Sequence, residues 1–108
     1  MASDIPESDC RHFREVHRKL LDKFASRSLE EIVAVIEAKK GTAHEKYLKV
    51  YELIHEHDED MGRAFDDVRR STAVMQLGIM RRMKLLGDED LSKFSEQTQT
   101  RVLGIASL

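Results

Sequence analysis

Cysteine is nearly missing from this sequence. Cys10 stands alone, so one chain can form neither an internal disulfide nor a cysteine-based zinc cluster. Proline occurs once, as Pro6, tryptophan is absent, and the five glycines, Gly41, Gly62, Gly78, Gly87 and Gly104, are scattered singly. A sandwich, a barrel or a Rossmann unit needs more turn residues than this. A glycine-rich loop to cradle phosphates is lacking too, which removes a foothold for nucleotide chemistry. The longest mostly apolar stretch, Ala73 to Leu86, is interrupted by Gln76, Arg81, Arg82 and Lys84 and is too short to span a bilayer. The opening residues Met1-Ala2-Ser3-Asp4-Ile5-Pro6-Glu7 show neither the basic nor the apolar region of a secretory signal. With a lone thiol, the expected location is cytoplasmic.

Charge of one sign is also lacking. Basic and acidic residues number six and five in residues 1–27, four and six in 28–57, six and five in 58–87, and two and four in 88–108. A chain built to neutralise phosphates carries a basic face, so nucleic acid is not the expected partner.

What remains is helix-forming material. A chain of 108 residues with 41% apolar and 35% charged side chains suits one all-α domain spanning residues 1–108, with residues 1–7 expected to be disordered. Ser8 is a candidate N-cap for a first amphipathic helix carrying Phe13, Val16, Leu20 and Phe24. Ser28-Leu29-Glu30-Glu31 reads as a capping box that opens a second helix through Ile32, Val33 and Ile36, stopped at Gly41. Thr42-Ala43-His44-Glu45 reads as another.

From Ala43 the apolar rhythm is long. Tyr47, Tyr51, Ile54, Asp58, Met61, Phe65, Val68, Thr72, Met75 and Ile79 follow at alternating steps of four and three. This predicts a helical bundle built on one long central helix over about 43–86, with two N-terminal amphipathic helices and a short C-terminal helical segment. The weak stretch is His55 to Asp60, where like charges four apart disfavour the helix, and a break is expected there if anywhere, between His57 and Met61. Gly87-Asp88-Glu89-Asp90 then turns the chain, and Ser95 is placed to cap a last short helix.

A helix of that length outruns what the rest of the chain can cover, which points to self-association. Val74, Leu77 and Leu85 fall nearly opposite the main seam, and with Met80 they are the expected homodimer interface. The functional expectation is a non-catalytic interaction or scaffold protein, and no catalytic residue is assigned, since Cys10 and His12 have no visible orienter or oxyanion pocket. Two alternatives have residues of their own. Glu52 and His55 form an E-x-x-H with Glu59 one turn on and His44 three turns back on a similar face, a ligand set for Fe, Mn or Zn if a symmetric dimer brings two copies together. Arg69, Arg70, Arg81, Arg82, Lys84 and the polar C-terminal helix bearing Lys93, Gln97, Gln99 and Arg101 give a helix-turn-helix-like DNA-binding alternative, opposed by Asp88, Glu89 and Asp90.

Overall fold

A computed structural model describes residues 5–108. It contains α1 (Glu7–Glu37), α2 (Ala43–Phe65), a 3₁₀ turn (Arg70–Thr72), α3 (Ala73–Arg82), α4 (Asp88–Ser92) and α5 (Glu96–Ala106), with no strand among the described residues. The all-α bundle expected from composition is present. Its long helix lies elsewhere, because the two N-terminal helices are one and the 43–86 span is divided.

Residues 7–37 contain neither glycine nor proline, so nothing in the backbone forces a stop at Ser28. The capping box expected there does not form. Ser28 instead lies inside α1 and spends its hydroxyl on His57 of α2, with Oγ and Nδ1 2.5 Å apart. Ser8 is likewise inside the helix, which is entered from Pro6, in keeping with the fixed φ of proline at a helix start. Ile5 is buried and its carbonyl accepts from Arg70 Nε at 2.7 Å, so the disordered leader expected over 1–7 does not reach residues 5–7. Residues 1–4 lie outside the described part.

At the other end α1 stops at Glu37, four residues before the Gly41 expected to stop it, and Gly41 turns the loop that follows. Gly41 takes a positive φ of 98°, and Lys46 of α2 reaches back to donate to the carbonyls of Ile36 and Ala38. The Thr42–Glu45 capping box then starts α2, with both reciprocal bonds formed.

The long rhythm fails at Phe65, beyond the acidic stretch where weakness was expected. Asp66 is extended and Asp67 adopts φ 59°, a left-handed conformation that aspartate tolerates better than most side chains. Thr72 locks the turn by accepting from Arg69 N–H and donating to the Asp67 carbonyl. Gln76 donates to the Asp66 carbonyl, and His17 caps the end of α2 through Nε2 on the Phe65 carbonyl at 2.7 Å. Side-chain bonds of this kind replace the amide ladder that a continuous helix would supply. Past the turn the expected seam is not the buried face, since Val68 and Met75 are exposed while Ala73, Val74, Leu77 and Met80 are buried.

α3 is therefore the centre of the subunit's own core, packed on α5, α2 and α1. Val74, Leu77, Met80 and Leu85, expected at a dimer interface, are core residues. A helix apolar nearly all round can be sandwiched between chains or surrounded within one, and the short α5 that packs most extensively on it is hard to foresee from its weak periodicity. Phe13, Val16, Leu20 and Phe24 line the same core from α1, with Leu91, Phe94 and Val102 from the C-terminal helices.

Gly78 sets how closely α3 and α5 cross, because a Cβ there would overlap the Ile105 side chain. Helix propensity alone makes Gly78→Ala stabilising by about 1 kcal/mol, whereas forcing a methyl into this contact costs about 1–3 kcal/mol. Packing wins. We expect Gly78→Ala to lower the thermal midpoint by roughly 5 °C or more, and a rise in the midpoint would refute the close crossing.

Candidate functional site

The described chain measures 55 × 24 × 24 Å, long for its mass. The length comes from an arm, the second half of α1 running antiparallel to most of α2. From Ala25 to Arg63 no residue is buried. Everything buried belongs to a head formed by residues 5–24 and 64–108. Two helices in contact cover only their facing strips, so an arm of two helices has no interior.

The sequence places apolar residues on the arm's uncovered side. Along α1 the stripe Phe13, Val16, Leu20, Phe24 advances by threes and fours, then jumps five to Leu29 before Ile32, Val33 and Ile36. Leu20 and Leu29 are nine residues apart, two and a half turns, and so lie on opposite sides of the helix. The side bearing Leu20 enters the head, and the side bearing Leu29 faces away from it. On α2, Tyr47, Tyr51 and Ile54 line the matching side by their four-three spacing.

The two stripes meet in a pair of shallow apolar grooves. One is bounded by Ile36, Ala43, Tyr47 and Val50 near the tip, and the other by Leu29, Ile32, Ile54 and Met61 near the base. Exposure on this face runs from 48% at Val33 to 70% at Tyr47, with Leu29, Ile36, Tyr51 and Ile54 in between. Scattered exposed apolar residues are ordinary, but a contiguous band on one face marks an interaction surface. These six side chains leave on the order of 700 Å² accessible, close to the roughly 800 Å² that each partner contributes to a standard interface.

The two arm helices are joined by a polar clasp that sequence reading missed. His57 packs edge-on against Phe24, with ring centroids 6.1 Å apart, and its Nε2 lies 3.1 Å from a Glu31 carboxylate oxygen. With the Nε2 proton facing Glu31, Nδ1 accepts from the Ser28 hydroxyl. Serine, histidine and glutamate in this order have the connectivity of an acyl-transfer triad. The surroundings do not supply the rest. Ser28 sits mid-helix, where backbone amides are spent on the helix, and Arg27 beside it donates to the carbonyls of Met83 and Lys84, leaving no preorganised donors for an oxyanion. The trio joins α1 to α2 instead. Only the separation of Ser28 from His57 hid it, since they are 29 positions apart in the chain.

The remaining expected sites are dispersed. His55 and Glu59 pair at 3.3 Å on the exposed side of α2, and the His55 ring stacks on Tyr51. Glu52 does not join them: among the described residues no three histidine, cysteine, aspartate or glutamate side chains gather around a common point. The arginines considered for DNA are engaged within the chain, Arg69 with Asp67, Arg70 with Ile5 and Glu7, Arg81 with Leu86 and Asp88, and Arg82 with the Ile105 carbonyl. Cys10 is buried in the core. Among the described residues no helix is long and apolar enough to cross a membrane. No protein-family model, curated protein or solved structure matches the chain.

Proposed function

We propose that this protein is a non-catalytic interaction module that works as a homodimer, joined through the apolar face of its arm. One observation carries the reading: the chain spends two helices on a segment with no buried residue, while keeping six large apolar side chains along one side of it. Ordering those residues costs about 1–2 kcal/mol each in backbone entropy, which burial normally offsets. Within one subunit the offset is missing, and a second copy of the same face supplies it. The self-association inferred from sequence rested on a 43–86 helix that the structure divides and on an α3 surface that the subunit itself buries; the arm supplies a different ground for the same proposal.

Light scattering coupled to size exclusion tests this directly. The protein is expected to elute at twice the 12.5 kDa chain mass. Ile54→Asp places a charge in the middle of the face and is expected to weaken association about 100-fold or more. Because Ile54 is not part of the core, the far-UV helical signal of the head persists in that variant. A wild-type protein of single-chain mass at about 100 μM, a concentration that would fill even a weak dimer, would overturn the proposal.

A further inference from the structure

Independently of the arm, we infer that the hairpin of α2 and α3 opens into one continuous helix, and that two copies of the chain then exchange their α3–α5 segments, each rebuilding the other's head.

The turn between the two helices is weakly committed. Residues 66–72 contain neither glycine nor proline, and Arg70–Thr72 already form a 3₁₀ turn that leads into α3. Only the residues from Asp66 to Arg69 separate α2 from that turn, and among them Asp67 sits at φ 59°, a left-handed conformation that disfavours an L side chain. A continuous helix removes that strain. It sets Asp66 one turn ahead of Arg70, the favourable order for an acid and a base, and serves the Asp66 and Asp67 carbonyls with backbone amides in place of the Gln76 and Thr72 side chains. What it forfeits is His17 on the Phe65 carbonyl and Arg70 on the Ile5 carbonyl.

The hairpin itself supplies the pairing. α2 and α3 run antiparallel, with Asp60 and Met83 bordering one hollow and Gln76 donating to the Asp66 carbonyl. Both helices turn parts of one four-three stripe inward, Met61 and Phe65 from α2 and Ile79 from α3. Two further members, Val68 and Met75, fall at the turn end, where a hairpin has no helix to set against them, and both are exposed. When two opened helices lie side by side, the antiparallel pairing continues through the former turn, one residue forward on one helix against one back on the other. Val68 of each copy then falls opposite Met75 of its partner, about a two-fold axis near Thr72. The rhythm from Met61 to Ile79, interrupted in the closed chain, is continuous and covered in this form.

The rest of the head is the same in both forms. Asp9 with Ser95 and Thr98, Lys19 with Asp90, and Arg27 with the carbonyls of Met83 and Lys84 join α1 to the exchanged segment. An exchanged pair makes each of these contacts across chains instead of within one. They cancel, so the hinge and the protein concentration decide between the forms. Exchange requires the head to come apart, so it proceeds when chains fold together at high concentration and not in a solution of folded subunits. The arms of an exchanged pair point away from the axis in opposite directions, and their apolar faces stay open to the pairing proposed above.

The test uses the full chain carrying Ile54→Asp, which weakens arm pairing, and Cys10→Ala, which removes the native thiol. Lys19 and Asp90 pair at 2.9 Å on the head surface, so Lys19→Cys in one chain and Asp90→Cys in another come within reach of a short bis-maleimide only after exchange. The two variants are unfolded together, refolded at about 1 mM and diluted about 100-fold, which dissolves residual arm pairs. A two-chain species that survives dilution is expected, with positions 19 and 90 linked at least tenfold more than when the variants are refolded apart and then mixed. Asp67→Gly relaxes the closed turn and weakens the continuous helix, so it should disfavour exchange about tenfold per chain and about 100-fold for the pair, which has two hinges. Refolding to single chains alone, equal linking in the two preparations, or a two-chain yield that Asp67→Gly leaves unchanged would each overturn the exchange. None of these results bears on arm pairing, which the wild-type mass decides.

Discussion

Leu77→Asp is expected to unfold the head. Leu77 is fully buried in the middle of α3, against helices on several sides. Truncating such a side chain costs about 2–5 kcal/mol, and an unpaired carboxylate adds several more or takes up a proton instead. A domain of this size has about 5–15 kcal/mol in total, and here 39 residues from Ala25 to Arg63 contribute no buried side chain to it. The far-UV helical signal should fall by at least half at 25 °C, with the cooperative melt lost. Read from sequence alone, the same substitution would change the particle's mass and spare its helices. Wild-type melting in Leu77→Asp would mean that α3 is a surface helix after all. Leu29→Asp on the arm is the paired control, expected to alter mass and keep the melt.

Asp9 carries the second large effect. It is buried at the start of α1 and accepts from the amide and hydroxyl of Ser95 at 3.0 and 2.6 Å and from the Thr98 hydroxyl at 2.6 Å. Burial pushes its carboxyl up, but the hydrogen bonds of Ser95 and Thr98, with a smaller contribution from His12, outweigh it and leave the carboxyl below its ordinary value of 3.8. A carboxylate whose folded value is depressed stabilises the fold above its unfolded value, and that stability is lost as pH falls through the folded value. Asp9→Ala leaves three donors without their acceptor and should cost about 2–4 kcal/mol at neutral pH. Urea midpoints measured from pH 7 downward should show the gap between wild type and Asp9→Ala closing below pH 3.8. Parallel curves through that range would show that Asp9 is not the acceptor holding α5 to α1.

How much of this was legible in the residues depends on the distance over which each signal acts. Local chemistry read well. Thr42 with Glu45, Gly87 and Ser95 mark helix starts where the structure has them, because a cap involves neighbours only. Ser28 misled for the opposite reason, since its cap partner lost to a histidine far along the chain. The heptad rhythm across Asp66 and Asp67 misled because spacing alone cannot tell one helix from two, and the break is made by the extended Asp66 and the left-handed Asp67. The arm face is written in the sequence as the five-residue step from Phe24 to Leu29. Spacing alone makes that step a boundary between helices, whereas in the folded chain it is a change of side on one.

The absence of any buried residue in the arm reaches beyond geometry. Helices that bury nothing open at little cost, and amide exchange and proteolysis both follow such openings. On the homodimeric reading, each arm borrows its durability from the other, so dilution shortens the lifetime of the chain and crowding of copies lengthens it. The abundance of the protein would then regulate its own turnover, with the arm as the gauge.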